Sequence, residues 1–327
     1  MVNILFIKLF NMTFDFNNIN LIPKMGIVSS RNDCDTSVEF GKFKFRIPVV
    51  PANMECVINE SISELLSKNG IFYIMHRFDS DLISFVNKMK LNNLVSSISV
   101  GVNDDSYLLI NQLKNLSLIP DYITIDIAHG HSIKMMHMIR HIKEVMEDKT
   151  FIIAGNVSSI EGVKDLEMWG ADCVKVGVGP GSPCTTYPST GFGSRGCQAS
   201  VLKDCYEVAT KPLIIDGGIK EPGDISKSIA LGASMVMVGG MLSGFIDSPG
   251  DVIELSDKKY KEFWGSASQY QSNKSKRIEG TKLLTPFKDK YLIDEMNYIH
   301  ECLQSSISYS GGNELSSLRN VKYIIKN

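Results

Sequence analysis

The sequence predicts an α/β protein with a (β/α)8 barrel fold, and two observations carry this prediction. The first is length: 327 residues exceed a typical domain but suit a single barrel of roughly 250 residues with insertions. The second is a series of eight short apolar runs rich in β-branched residues, at 45–50, 71–75, 95–100, 122–128, 151–155, 173–179, 213–218 and 234–240. We therefore expect eight strands.

The segments between these runs have the periodicity of amphipathic helices. Examples are ISELLSKNG, DLISFVNKMK, SIKMMHMIRHIKEVM, SIEGVKDLEMWG and DISKSIALG, and several end in a glycine that suits a helix C-cap. Alternation of strand and helix predicts parallel pairing. Right-handed crossovers can close eight such units into a barrel, whose active site lies at the C-terminal ends of the strands. An open doubly wound sheet is the structural alternative.

The organisation of the chain predicts one barrel domain over residues 12–327, after a dispensable extension at 1–11. That extension is apolar but short, contains Lys8 and lacks a small-residue cleavage site, so a signal peptide is the alternative that we favour less. Residues 246–285 are polar and break the strand–helix rhythm, which predicts a flap after the eighth strand. Residues 286–327 return to helical patterning and are expected to pack back on the barrel.

Composition excludes several kinds of partner. With 43% hydrophobic and 21% charged residues, the chain can bury a large core without metals or disulfides. A net charge of -2 gives no footprint for nucleic acid, and no apolar run approaches the roughly 20 residues that span a membrane. The seven cysteines form no CxxC pair, which argues against a disulfide framework and a zinc site and favours a reducing, cytoplasmic setting.

The most informative segment is KVGVGPGSPCTTYPSTGFGSRG, which follows the sixth run and surrounds Cys184 with glycine and proline. Glycine lets the backbone approach a ligand closely, and the carbonyls or amides of such a turn can converge on an ion. Cys184 therefore occupies a position that suits a nucleophile. The alternative is a flexible loop around a buried cysteine, since free cysteines are often core residues.

Paired glycines follow the seventh and eighth runs, at Gly217-Gly218 and Gly239-Gly240. This is the usual place of a barrel's phosphate site, where amides at a helix N-terminus attract an anion. Asp216, directly before the first pair, is expected to point at a ribose hydroxyl. Plain tight turns are the alternative, and the phosphate of a dinucleotide could equally occupy the first turn.

Ten segments make the resemblance to a known family specific. They are PVVPANM, YIMHRF, SISVGV, YITIDIAHGHS, IIAGNV, GVGPGSPCTT, IDGGI, GDISKSIALGASMVMVGG, RIEG and SSISYSGG. Together they cover nearly the whole chain from Met12 and resemble the IMP dehydrogenase/GMP reductase family, most closely its GMP reductases. The dehydrogenases usually carry inserted regulatory domains, a flap glutamine and an Arg-Tyr pair. This chain has no room for such domains, and it carries Glu279-Gly280 and Phe263-Trp264-Gly265 instead.

The resemblance implies a covalent mechanism with NADPH as cofactor. Cys184 would attack C2 of GMP and expel ammonia, and the resulting thioimidate would be reduced to IMP. Thr186 and Glu279 match the family's pair that relays a proton to the departing amine. The attacking species must be the thiolate, although a free thiol with a pKa near ~8.5 is mostly protonated at neutral pH.

The resemblance also implies the binding residues and a homotetramer in which the cofactor crosses a subunit boundary. The nucleotide contacts are Met54, Ser182, Asp216, Gly217, Gly218, Gly239 and Gly240. A potassium ion would be held by the carbonyls of Gly179, Gly181 and Cys184. The cofactor contacts are Asp126, Ala128, Lys276, Ser305, Ser306 and Ser308, to which Arg77 could add a phosphate contact because a guanidinium suits phosphate.

The chain departs from the family pattern at a few positions, and other functions are alternatives to the implied one. Tyr187 stands where the family usually has Lys or Arg, which puts the cation contacts in doubt, and Cys197 replaces a larger residue. His129 and His131 lack a nearby third ligand, so we interpret them as rim residues rather than a metal site. The rivals are an IMP dehydrogenase without regulatory domains, a catalytically silent nucleotide-binding barrel and a flavin-dependent oxidase.

Overall fold

The structure is a computed structural model that describes residues 13–78, 80–265 and 280–326. Three short strands precede the barrel: β1 (Ile19–Leu21), β2 (Val38–Phe40) and β3 (Phe43–Phe45). Strands β2 and β3 pair as an antiparallel hairpin. The predicted extension at 1–11 lies outside the described residues.

Seven parallel strands form the central sheet. In chain order they are β4 (Val49–Pro51), β5 (Ser97–Val100), β6 (Tyr122–Asp126), β7 (Phe151–Val157), β8 (Cys173–Val176), β9 (Leu213–Asp216) and β10 (Met235–Val238). Their order in the sheet is β4-β10-β9-β8-β7-β6-β5, so the first strand pairs with the last. This pairing joins the two ends of the series, as the predicted (β/α)8 barrel requires, and the predicted fold class is confirmed.

The second predicted strand, 71–75, differs from the other seven. It meets the sheet through one parallel bridge between Met75 and Ile98, where Ser99 donates its amide to the Met75 carbonyl at 2.9 Å. The Tyr73 hydroxyl donates to the Val95 carbonyl at 2.6 Å and accepts the Ser97 amide at 3.3 Å. The Tyr73 side chain thus makes hydrogen bonds that backbone groups would make in a longer strand. This explains why residues 71–75 are not a regular strand.

Helices connect the strands, as the periodicity predicts. They are α1 (Glu60–Lys68), α2 (Leu82–Leu91), α3 (Asp104–Asn115), α4 (Ile133–Met146), α5 (Ile160–Trp169), α6 (Thr186–Thr190), α7 (Gln198–Tyr206), α8 (Pro222–Ala230) and α9 (Leu292–Tyr309). Polar side chains cap several N-termini: Asn59 accepts the Ile62 amide at 2.9 Å, and Ser132 accepts the Met135 amide at 3.3 Å. Each cap satisfies an amide that the helix leaves unpaired, and so fixes where the helix begins.

Aromatic residues close the N-terminal end of the barrel. Phe40 and Phe45 of the β2–β3 hairpin are buried against Phe72, with ring centroids 5.1 Å from it in both cases. Tyr122 packs against Phe72 at 4.8 Å and donates its hydroxyl to the Phe40 carbonyl. Burial of each such ring contributes about 1.5–3 kcal/mol. This packing leaves the C-terminal ends of the strands as the place for a pocket.

The predicted flap has a folded base that the sequence did not indicate. Strands β11 (Val252–Leu255), β12 (Lys258–Trp264) and β13 (Lys282–Pro286) form an antiparallel sheet, and residues 266–279 between β12 and β13 lie outside the described residues. The alternation in KKYKEFW buries Lys261 and Phe263 on one face, which is the pattern of a half-buried strand.

The C-terminal segment packs back on the barrel, as expected. Helix α9 lies against α8, and the last strand, β14 (Tyr323–Ile325), pairs antiparallel with β1. None of the helices in the described ranges is long and apolar enough to cross a membrane. That residues 12–327 form a single domain stays a prediction.

Candidate active site

A cavity of about 510 Å³ opens at the C-terminal ends of the barrel strands. The strand ends and the loops that follow them bring most of the sequence-predicted residues to its wall. These are Met54, Arg77, Asp126, Ala128, Gly179, Gly181, Ser182, Cys184, Thr186, Asp216, Gly217, Gly218, Gly239 and Gly240. Residues that lie far apart in sequence therefore share one site.

Cys184 lies in this wall beside the start of α6. Its Sγ is 3.3 Å from the Thr186 Oγ1, and its amide donates to the Gly181 carbonyl at 3.1 Å. The cysteine is half-buried, so a ligand can reach the sulfur. The Thr186 hydroxyl is close enough to the sulfur to exchange a proton with it or with a group bound beside it.

Other cysteines of the chain sit in environments that suppress reactivity. Burial raises the pKa of Cys56 and of Cys205 to about 12 and raises that of Cys173 well above its ordinary value. A thiol with such a pKa holds almost no thiolate at neutral pH, and the thiolate is the nucleophile. These three cysteines are therefore structural.

The two described stretches that flank residues 266–279 of the flap are held near the pocket, one by the cysteine loop and the other by Cys56 after β4. Gly280 forms an antiparallel bridge with Cys184, and the Thr281 amide donates to the Pro183 carbonyl at 2.8 Å. At the other end, the Trp264 amide donates to the Cys56 sulfur at 3.4 Å. The residues on either side of the undescribed segment therefore lie beside the pocket wall. The predicted site residues Glu279 and Lys276 belong to it and lie outside the described residues.

The turn after β9 is built for close approach to the cysteine loop. Gly217 has a φ of +91°, and a Cβ on it would lie 2.7 Å from the Pro180 ring, so a larger residue would be strained and would clash. The Asp216 side chain accepts the Asn156 amide at 2.8 Å on Oδ2. In the described part of the chain, Asp216 accepts its side-chain hydrogen bonds on Oδ2, so Oδ1 remains for a ligand hydroxyl.

A buried lysine forms the floor of the cavity. Lys175 Nζ lies 2.7 Å from Asp126 Oδ1 and 2.7 Å from Asp216 Oδ2. Burial alone would lower the pKa of Lys175, but the two carboxylates outweigh it and raise the pKa above its ordinary value. Burial would likewise raise the pKa of Asp126, yet Lys175 and the Asn53 amide, 3.0 Å from Oδ2, hold it below the usual range. Lys175 and Asp126 are therefore held in their charged forms.

The two paired-glycine turns differ in how they meet the following helix. A short 3-10 helix, Gly240–Leu242, begins directly at the second turn. Helix α8, however, begins four residues after the first turn, and the amides of Lys220 and Glu221 donate to Asp224 Oδ2 at 3.1 and 3.3 Å. The two amides directly before α8 are therefore satisfied by the helix's own carboxylate, and phosphate binding at this turn stays a prediction. At that position the glycine turn itself is the candidate.

Three predicted cofactor residues lie away from this cavity in the single chain. Ser305, Ser306 and Ser308 are on α9, where the Ser226 hydroxyl donates to Ser306 at 2.8 Å and Ser308 donates to the Ser305 carbonyl at 2.7 Å. The structure of one chain does not bring them to the pocket. Their role in cofactor binding stays a prediction.

The two histidines of the rim make no metal cluster in the described part of the chain. His131 Nε2 lies 2.7 Å from Asp165, and its ring is 5.8 Å from that of Trp169. No group of three potential ligands among His, Cys, Asp and Glu occurs in the described residues.

Sequence reasoning missed several polar residues of the site. Lys175, Asn156 and Asn53 were not singled out, although each contacts a predicted aspartate. A signal for Lys175 is present: it is a charged residue inside the apolar strand CVKV, directly before the glycine loop. A charged side chain that points into the interior of a barrel must have a hydrogen-bonding or charged partner. A role for Lys175 could therefore have been predicted.

Comparison with known proteins places the chain in a family. Residues 12–327 match the family model described as IMP dehydrogenase / GMP reductase domain. The chain is 51% identical over 312 residues to a protein of Mesoplasma florum named GMP reductase, covering 95% of this chain and 97% of that protein. Proteins with the same name from Albidiferax ferrireducens and Bacillus licheniformis are 53% and 50% identical, and each match covers 95% of both chains. The chain belongs to the IMP dehydrogenase/GMP reductase family.

Proposed function

We propose that this chain is an oxidoreductase that converts GMP to IMP and ammonia with NADPH, as expected of a GMP reductase. The observation that carries the proposal is the pairing of Cys184 with Thr186 in the wall of a pocket whose floor holds two carboxylates. Names of relatives at about 50% identity over nearly the whole chain support the same reaction.

The pocket offers a subsite for each part of GMP. Asp216 can accept a ribose hydroxyl through Oδ1, and the two glycine turns can donate backbone amides to the phosphate. Met54 and Ser182 line the same cavity as Cys184. With ribose and phosphate held by these groups, the purine C2 would lie near the sulfur.

The proposed reaction has two steps. The Cys184 thiolate adds to C2 of GMP, and the bond from C2 to the exocyclic amino group then breaks. The amino nitrogen accepts a proton and leaves as ammonia, which gives a thioimidate. NADPH supplies the hydride for the second step. As C2 accepts it, the C–S bond breaks, releasing IMP and regenerating the thiolate. Thr186, with Glu279, would deliver the proton to the leaving nitrogen.

The cavity leaves room for a cofactor beside the nucleotide. It continues past Asp126 and Ala128 to Arg77, and a second cavity of about 340 Å³ shares Arg77. We assign the nicotinamide to the Asp126 and Ala128 side, with Arg77 and Lys276 near the cofactor phosphates. Ser305, Ser306 and Ser308 would hold the rest of the cofactor from a neighbouring subunit of a homotetramer, since they lie away from this chain's pocket.

A potassium site fits the loop chemically. Carbonyl oxygens are the ligands that such a cation prefers, and the carbonyls that would hold it are those of Gly179, which has a φ of +79°, Gly181 and Cys184. The Gly181 carbonyl already accepts the Cys184 amide, and a carbonyl has a second lone pair. We further propose a reducing cytoplasmic setting, because the seven cysteines are all unpaired.

Two parallel spectrophotometric assays test this function. We expect purified protein to oxidise NADPH only when GMP is present, with one ammonia released for each NADPH consumed. The matched cuvette contains IMP and NAD, and we expect no reduction of NAD there. NAD reduction with IMP alone would identify a dehydrogenase instead, and no change in either cuvette would favour a silent nucleotide-binding barrel.

A further inference from the structure

We infer that Lys175 is a positioning residue that couples the two ligand subsites, by holding the GMP-side carboxylate of Asp216 and the nicotinamide-side carboxylate of Asp126 on one ammonium group. This inference rests on the proposed function and deepens it. Lys175 is the first residue of the glycine-rich segment around Cys184, and its contacts with Asp126 and Asp216 indicate its role.

The lysine is built into the barrel interior. Its side chain is 2% exposed, and it extends from β8 between carboxylates on β6 and β9. The neighbouring strand makes room for it: a Cβ on Gly155 of β7 would lie 2.6 Å from the Lys175 Cβ and 2.7 Å from its carbonyl oxygen. A side chain at 155 would therefore displace the lysine.

Burial of an ammonium group is unfavourable unless its hydrogen bonds and charge are matched. Here both partners are carboxylates at 2.7 Å, the short distance typical of charge-assisted hydrogen bonds. Arg77 adds a second positive charge that acts on Asp126. Two cations thus balance two carboxylates, which explains how this much charge is accommodated at the floor of the cavity.

The contacts fix the orientation of each carboxylate. Asp126 accepts from Lys175 on Oδ1 and from Asn53 on Oδ2. Asp216 accepts from both Lys175 and Asn156 on Oδ2. Asn156 also donates to the Gly177 carbonyl at 2.6 Å, which ties the pair to the start of the cysteine loop. Because one ammonium contacts both carboxylates, its loss should disturb both subsites at once.

Kinetic constants for both substrates test this coupling. We compare Lys175→Met, which has similar length and no charge, with Lys175→Arg, which retains the charge, and with Asp126→Asn and Asp216→Asn. We expect Lys175→Met to raise the KM for GMP and the KM for NADPH each by about tenfold or more, the effect of losing a hydrogen bond to a charged group. Asp216→Asn should affect mainly GMP, Asp126→Asn mainly NADPH, and Lys175→Arg should restore much of both.

The pH dependence provides a readout that a purely structural lysine would not change. In the wild type the lowered pKa of Asp126 keeps its carboxylate ionised between about pH 5 and pH 8, so the pH profile of its KM for NADPH reflects the cofactor's own phosphate, with a second pKa of about 6, and not Asp126. Without Lys175, burial is left to raise the pKa of Asp126, although Arg77 still opposes this. The KM of Lys175→Met should therefore rise as the pH falls and the carboxylate takes up a proton.

Binding measured without turnover separates this inference from the proposed function. Calorimetry with GMP alone, together with the thermal midpoint of each variant, reports on the Asp216 subsite whether or not the chain is a reductase. If Lys175→Met melts earlier but keeps the wild-type KM values and the wild-type pH profile, Lys175 is structural and the inference is wrong. If Lys175→Met does not fold, Lys175→Gln serves in its place. The glutamine side chain is neutral, and its amide can donate to only part of the carboxylate pair.

Discussion

Replacing Cys184 with alanine is expected to lower kcat by about 10⁴-fold or more while GMP still binds, because the proposed route has no nucleophile without the sulfur. The cysteine contributes its Sγ to the pocket wall but makes few of the contacts proposed to hold ribose and phosphate. Steady-state NADPH oxidation gives kcat, and calorimetry gives the affinity for GMP.

Cys197→Ala is the matched control, since Cys197 is also half-buried and unpaired but does not line the cavity. It should retain wild-type activity. Loss of GMP binding in Cys184→Ala with a lowered thermal midpoint would show that Cys184 is structural. Retained turnover in that variant would rule out the covalent route.

Replacing Thr186 with valine is expected to lower kcat by about 10²–10⁴-fold, the usual contribution of a positioned proton donor or acceptor. The Thr186 Oγ1 lies 3.3 Å from the Cys184 Sγ, and valine keeps the branched shape while removing the hydroxyl. The KM for GMP should change little, because this hydroxyl acts on the reacting sulfur and the leaving nitrogen. Single-turnover measurements of ammonia release locate the slowed step.

Thr186→Ser separates the hydroxyl from the side-chain shape. It retains the oxygen, so we expect it to keep most of the activity that valine loses. Equal activity of the serine and valine variants would show that the hydroxyl transfers no proton. If Glu279 and Thr186 act as one relay, Glu279→Gln should slow the same step as Thr186→Val. The kcat of the double variant should then be no lower than that of the slower single variant.

The sequence was sufficient to predict the barrel because its local signals agree with one another. Seven of the eight predicted runs are strands of one sheet, and the glycine and polar residues after them meet at one end. The run at 71–75 joins the sheet through one bridge, a consequence of side-chain hydrogen bonds from Tyr73 that no hydrophobic pattern reveals.

The site could be predicted only in part, since motifs identify residues but not the contacts among them. Cys184, Thr186, Asp216 and the glycine turns stand out in the sequence and share the cavity. Lys175 is recognisable as a charge inside an apolar strand, but its partners Asp126 and Asp216, on β6 and β9, are identified only by the fold. The capping of α8 by Asp224 likewise depends on local geometry that Gly-Gly pairs do not encode.

The transfer of deuterium from labelled NADPH to the product tests the central claim most directly. The protein is incubated with GMP and NADPH deuterated at C4 of the nicotinamide, with each of the two faces labelled in separate samples, and the product is analysed by mass spectrometry and proton NMR. Reduction at C2 predicts IMP that carries one deuterium at C2 with one of the two labelled cofactors. A product without deuterium from either cofactor would contradict hydride transfer to C2 and with it the proposed reductase reaction.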